Sequence, residues 1–268
     1  MDLPAIGGSH PCVRQALALR RGATADRDRL LLVEGLWAHQ VLLATNTLVH
    51  AFLHCAEASF SSDARGCAAQ MVQRAQASYS ISARTLARLA ERDRPDGLLS
   101  VVELPTWSPA ELPLSAEALV AVADGLETPG NIGTLLRTLD GCAGEALLVT
   151  NQRARLTHPA VFRASHGTSL TVPQLVFAAV SDALDWLGGH GFDVYLADAA
   201  SLGRYREPDY AGRTAVVLGA ERYGISATWY DHGFASVAVP MLGRGDSLNV
   251  AVSASVLLYE ARARKSGW

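Results

Sequence analysis

The stretch "ALVAVADGLETPGNIGTLLRTLDGCAGEALLVT", residues 118–150, holds three patterns in succession. It opens on an apolar run, "ALVAVAD", of the length and β-branched content of a strand buried on both faces. A loop follows, centred on Pro129-Gly130-Asn131-Ile132-Gly133, and leads into "IGTLLRTLDGC" with helical spacing. A second apolar run, "ALLVT", closes the unit. Strand, helix and strand in this order imply a crossover between parallel strands. The alternation continues toward the C-terminus. "DVYLAD", "TAVVLGA" and "ASVAVP" read as further strands, and "HPAVFRAS", "SDALDWLGGH" and "SATWYDHG" as helices or helical turns. The second half is therefore expected to be α/β, a parallel sheet covered on both faces, with ligands beyond the carboxyl ends of its strands.

Upstream, "RPDGLLSVVELPTWSPAELPLSAEA", residues 94–118, holds four prolines and marks a stiff connection between two units. The expected division is residues 1–106, a linker at 107–117, and residues 118–268. In the first unit "RLLLVEGLWAHQVLLATN" reads as a helix, "LVHAFLHC" as a strand, "CAAQMVQRAQA" as a helix and "SYSIS" as a short strand. "ARTLARLAER" as a helix and "GLLSVVEL" as a strand complete a small α/β domain.

Hydrophobic residues make up 49% of the 268 and charged residues 18%, which excludes a disordered chain. No run approaches the ~20 apolar residues needed to cross a bilayer, so no membrane partner is expected. The start, "MDLPAIGGSHPCVRQ", has no basic segment followed by an apolar one, which argues against a signal peptide. Cys12, Cys55, Cys67 and Cys142 are scattered, so reduced thiols in a cytoplasmic protein are expected, without a zinc site. His158 and His166, eight apart with no carboxylate nearby, make a poor metal pair, and no metal is expected. Net charge is −3, but residues 1–94 carry 11 Arg against 8 acids, leaving 12 Lys+Arg against 18 acids beyond. A phosphate-bearing partner would sooner meet the first part, where Arg14, Arg20, Arg21, Arg27 and Arg29 form the densest basic run, interleaved with Asp26 and Asp28. A solvated face explains that run equally well.

Three loops follow strands. In the first, Thr128 or Asn131 is a candidate cap for the next helix, and Arg137 stands among leucines. There is no G-x-x-x-x-G-K-[ST] and no G-x-G-x-x-G, so neither a P-loop nor a dinucleotide fingerprint is present. In the second, "VVLGAERYGIS", residues 216–226, a buried strand runs into Gly219, then Glu221 and Arg222. In the third, "VAVPMLGRGDSLNVAVSASVLLYEARAR", residues 237–264, Ser247-Leu248-Asn249 opens a long helix with Asp246 or Ser247 as its expected cap. Asn249 inside a first turn is less expected, because asparagine competes with helical backbone bonding. Asp198 in "YLADAASLGRY" is a further carboxylate at a strand end.

Together and in this order the loops resemble the SpoU/TrmH branch of the SPOUT superfamily of RNA methyltransferases. "PGNIGTLLRT", "VLGAERYGIS" and "VPMLGRGDSLNVAVSASVLLYE" match its three motifs, over about residues 119–264. The first unit is similar to the small ribosomal-protein-like (L30e-like) substrate-binding domain of many relatives, on "LLVEG" and "RPDGLLSVVEL". The resemblance implies a C-terminal parallel-sheet SPOUT domain with a deep trefoil knot and a homodimer. It also implies S-adenosylmethionine (AdoMet) as cofactor, with Leu218, Gly219, Val239, Met241 and Leu248 at its adenosine end. Arg137 is implied as the main catalytic residue beside a ribose 2′-hydroxyl, with Asn131, Glu221, Ser247 and Asn249 at the other polar motif positions. Glu221 would orient Arg137 or a neighbouring donor, and Ser247 and Asn249 would hold the ribose or Arg137. An arginine is effectively always protonated, so charge stabilisation and positioning suit it better than proton abstraction. Arg163, with Arg14, Arg20 and Arg21, is a candidate RNA contact. Ribosomal RNA is favoured over tRNA as the partner, and antibiotic self-resistance is a role held by some relatives. The acidic second part leaves room for a small-molecule substrate, and a non-enzymatic RNA-binding protein is a third reading, disfavoured by the intact polar motif positions.

Overall fold

The computed structural model describes residues 2–23 and 29–267. Asp26, Arg27 and Asp28 of the basic run lie outside the described residues. The chain divides into two compact units, the first running to Pro105 with Thr157–Pro159, the second comprising Thr106–Leu156 and Ala160 onward.

The first unit contains α1 (Pro11–Arg21), β1 (Leu30–Glu34), α2 (Leu36–Ala44), β2 (Val49–His54), α3 (Ser62–Arg74), β3 (Ala77–Ser80), α4 (Ala83–Leu89) and β4 (Leu98–Glu103). Its sheet runs β1-β4-β2-β3, with β4 antiparallel to both neighbours and β2 parallel to β3. The expected helix over 29–46 divides here. Leu30–Glu34 is a strand, and Gly35 at φ 97°, a conformation glycine adopts freely, separates it from α2. A strand buried throughout shows no alternation, so periodicity could not distinguish it from a buried helix. Inside the unit His39 is fully buried. Its Nδ1 bonds the Gly35 carbonyl at 2.7 Å and its Nε2 bonds Ser100 Oγ at 2.9 Å. Burial holds this imidazole down at about 4.

The second unit carries β5 (Leu119–Asp124), α5 (Pro129–Gly141), β6 (Ala146–Thr150), α6 (Pro159–Ala164), β7 (Gln174–Val176) and α7 (Val180–Gly189). It continues with β8 (Phe192–Ala197), β9 (Arg213–Gly219), α8 (Ala227–Tyr230), β10 (Ala235–Val237) and α9 (Val250–Ser266). Every pairing in the six-stranded sheet, order β10-β8-β9-β5-β6-β7, is parallel. Successive crossovers run one way from β5 to β7, and the chain then returns to the other side of β5. The strand order therefore reverses between β5 and β9, the place where open parallel sheets form crevices. The proline-rich stretch packs on this unit, with Trp107, Leu112 and Leu114 against its core.

Helix α9 lies against α5, β9 and β5. Two cross-links fix it along α5. Ser255 Oγ and Thr138 Oγ1 share a hydrogen bond of 2.9 Å, and Arg262 donates to the Cys142 and Ala143 carbonyls, both at 2.7 Å, beyond the end of α5. Its far end is anchored by Lys265, the chain's lone lysine, whose side chain is 1% exposed. It donates to the carbonyls of Tyr210 (2.6 Å) and Gly212 and pairs with Glu117 at 3.4 Å. The start of α9 differs from expectation. Asn249 itself is the N-cap, its side chain accepting from Ala251 N at 3.0 Å, so neither Asp246 nor Ser247 caps it. Thr128 precedes α5 without a side-chain cap bond, and Pro129 takes the first helical position, where its missing N–H costs nothing.

Candidate active site

At the carboxyl end of β9 the backbone turns back on itself. Ala220 and Gly224 exchange two hydrogen bonds, N to O at 3.1 and 2.8 Å, and leave Glu221, Arg222 and Tyr223 exposed at the tip. Only a residue without Cβ fits at Gly219. An added Cβ would stand 2.2 Å from both Gly224 C and Ile225 N, which are backbone atoms with no rotamer to change. Beneath this turn Asp124, at the end of β5 and 2% exposed, ties three segments together. Its Oδ1 accepts from Thr150 Oγ1 (2.9 Å) and Asn151 Nδ2 (2.7 Å), and its Oδ2 accepts from Ser226 N (2.7 Å). The sequence reading passed over Asp124. The available signal was a carboxylate directly ending a fully apolar strand, which needs partners when buried.

The strand ends of β8, β9 and β10 and the start of α9 enclose a cavity of about 410 Å³. Leu218, Gly219, Val239, Met241 and Leu248 all line it, as do Glu221, Ser247 and Asn249. On its wall Asp198 accepts from Tyr230 Oη at 3.0 Å and from Ala200 N at 2.9 Å. Burial, and then that hydrogen bond, push the Tyr230 phenol up to about 12, so it stays a donor at neutral pH.

Asn131, in the first turn of α5, joins the three loops. Its Nδ2 donates to Glu221 Oε1, and its Oδ1 accepts from Asn249 Nδ2 at 3.2 Å. Glu221 thus holds Asn131, the neighbouring donor, and not Arg137. Asn249 likewise holds Asn131 with one end of its amide and caps α9 with the other. Ser247 Oγ reaches only Asp246, at 3.4 Å.

Arg137 is set apart from this group. Six residues beyond Asn131 corresponds to about 120° around the helix, and Arg137 is exposed and absent from the cavity wall. Its side chain makes no hydrogen bond or ion pair among the described residues.

Residues 118–259, more than half of the chain, match the SpoU rRNA Methylase family. The chain belongs to that family. As a SpoU methylase it is an RNA methyltransferase whose methyl donor is AdoMet. It is 29% identical over 189 residues to the 23S rRNA (uridine(2479)-2′-O)-methyltransferase of Streptomyces viridochromogenes, covering 68% of this chain and 66% of that one. A crystal structure of an RNA 2′-O ribose methyltransferase superposes with a TM-score of 0.81 at 30% identity, over 98% of this chain and all of the other. The SpoU methyltransferase AviRb from Streptomyces viridochromogenes, in complex with the cofactor AdoMet, has the same fold, with a TM-score of 0.83 at 24% identity over 96% of the present chain and 98% of its own.

Of the SpoU protein's other candidate residues, Arg163 is exposed on α6, outside the cavity wall. Arg14 and Arg21 are exposed on α1, whereas Arg20 donates to the Arg88 carbonyl at 2.6 Å and Arg29 pairs with Glu103 at 3.2 Å. Structural contacts therefore already occupy part of the basic run.

Proposed function

We propose that the protein transfers the methyl group of AdoMet to a ribose 2′-hydroxyl of ribosomal RNA, as a cytoplasmic homodimer. The convergence of three loops on Asn131, beside a strand-end cavity, carries this reading. The cavity suits the cofactor. Its volume of about 410 Å³ lies within the range of small-molecule sites, and bare Gly219 exposes backbone groups beside apolar Leu218, Val239, Met241 and Leu248. These five residues would hold the adenosine end. When bound, AdoMet supplies an electrophilic methyl group on a sulfonium. The reading includes a deep trefoil knot, an L30e-like first unit that meets the RNA, and contacts from Arg14, Arg20, Arg21 and Arg163.

The chain's own residues perform three tasks in this scheme. Asn131, Glu221 and Asn249 hold the three loops in register, which fixes the acceptor ribose relative to the cofactor, with Ser247 beside them. Alignment of this kind is worth roughly 7–11 kcal/mol of barrier at its upper limit. Arg137 stabilises the charge that develops as the 2′-oxygen attacks and its proton leaves for water or a neighbouring phosphate. In one chain Arg137 faces away from the loop cluster, so the homodimer is the part of the reading that brings it to a cavity.

The test is transfer of labelled methyl groups to ribosomal RNA and tRNA pools by the wild type and Arg137→Ala. The variant is expected to lose about 10²–10³-fold in rate while binding AdoMet normally. Mixing Arg137→Ala with Asn249→Ala subunits should restore part of the activity. An Arg137→Ala enzyme of wild-type rate overturns the assignment. The 18 acids against 12 bases beyond residue 94 favour a small-molecule acceptor as second reading. Binding of RNA that does not weaken with salt would support that alternative.

A further inference from the structure

The first unit has a cavity of its own, of about 560 Å³, between the segment entering α3, the face of α4 and the loop before β4. Ala58, Ala64, Leu86 and Pro95 give it apolar walls, and Phe60 stands at its edge. Phe60 is 82% exposed, more than any other aromatic side chain among the described residues. It contributes little to the core, yet its loop is held firmly. Arg65 donates to the carbonyls of Phe60 (2.8 Å) and Ser59 (3.3 Å), and Ser59 Oγ donates to the Asp96 carbonyl at 3.0 Å. The facing loop is fixed as well, because Gly97, at φ 82°, brings its Cα so near Cys55 that a Cβ would lie 2.3 Å from the Cys55 carbonyl oxygen.

The polar groups are of two kinds. Arg94 lines the cavity, is exposed, and makes no side-chain hydrogen bond or ion pair among the described residues, whereas Arg92 pairs with Asp96 at 3.5 Å. Arg84, exposed beside Ala83 on α4, is equally unengaged. Glu57 and Asp96 place carboxylates at the same walls. A rigid aromatic edge, an apolar slot, free guanidinium groups and acceptors for amino groups match one ligand chemistry. An unstacked base has a flat π-face, an edge bearing donors, and a phosphate on either side.

We infer that this cavity receives a single unstacked nucleobase of the RNA substrate, stacked on Phe60 with its phosphate at Arg94. The inference rests on the RNA reading above and adds a recognition subsite on the first unit. Duplex RNA does not fit it, because a paired base has no free face or edge. The occupant is thus a loop, bulge or single-stranded segment.

The test uses the full chain and short single-stranded RNA carrying 2-aminopurine, whose fluorescence reports stacking, with duplex RNA as competitor. Phe60→Ala is expected to weaken single-strand binding at least about tenfold, and Phe60→Trp to preserve it. Arg94→Gln should weaken it and lower the salt slope by about 0.7. Because Phe60 and Arg94 are exposed, unchanged melting and AdoMet affinity report that the variants are folded. Wild-type affinity in Phe60→Ala, or equal competition by duplex, overturns the inference. So does a loss of self-association in Phe60→Ala with RNA binding unchanged, which would make this face a protein contact. If the wild type binds no RNA at all, the RNA reading itself fails, an outcome distinct from these.

Discussion

Two glycines that look alike in the sequence should respond oppositely to the same change. At Gly219 an added Cβ would lie 2.2 Å from Gly224 C and Ile225 N and 2.4 Å from Gly224 O. Ordinary carbon contacts begin near about 3.5 Å, so the 220–224 turn must move by about 1 Å. No side chain can absorb this, since all three atoms are backbone. Overpacking of this kind costs about 1–3 kcal/mol, and for a unit of this size each kcal/mol lowers Tm by roughly 2–4 °C. Gly219→Ala should therefore melt about 2–12 °C lower. The displaced turn is also a wall of the cavity proposed for AdoMet, and on that proposal the loss of one backbone hydrogen bond should weaken AdoMet binding about two- to tenfold. Gly130, in the first turn of α5, has nothing within 4 Å of a built Cβ. Gly130→Ala removes unfolded-state freedom and should gain up to about 0.5–1 kcal/mol, with AdoMet affinity unchanged. Scanning calorimetry and AdoMet titration of the pair decide the matter. A neutral Gly219→Ala, or a Gly130→Ala equally damaged, would refute the close-approach argument.

Other expectations follow from single groups. Asn131→Asp replaces the donor to Glu221 with a second carboxylate, so methyl transfer should fall about tenfold or more while Tm changes little; a wild-type rate would remove Asn131 from the account. His39 has its folded value held at about 4 against 6.5 unfolded. Above pH 6.5 both states are neutral there. As pH falls, the unfolded state takes up the proton first, so stability declines through the 6.5–4 window. The loss is about 2 kcal/mol by pH 5, and it should disappear in the urea midpoints of a folded His39→Gln variant. Lys265→Met leaves the carbonyls of Tyr210 and Gly212 without their donor and should cost about 1–3 kcal/mol, read as a lower denaturation midpoint.

The strands and helices of the second unit were legible because its buried runs alternate cleanly with helical ones. β7 escaped notice, as three residues, Gln174–Val176, carry no pattern. The start of α9 was misplaced because Asp246, Ser247 and Asn249 are all good caps, and the choice is made by Asn131, 118 positions away. The polar motif positions could be named from the sequence, but not their pairing. Glu221 meets Asn131 across 90 positions, which only the parallel register brings together. The cavity of the first unit was invisible for the same reason, as its two loops are held together by Ser59 and Asp96, 37 positions apart.

The central claim is methylation of a ribose 2′-oxygen, and its chemical signature is direct. The protein is incubated with methyl-labelled AdoMet and unmodified ribosomal RNA, and the RNA is then hydrolysed in alkali. A 2′-O-methyl group blocks cleavage at its own nucleotide, so the account predicts label in an alkali-resistant dinucleotide, absent with Arg137→Ala. Label released in mononucleotides, as base methylation would give, would contradict it.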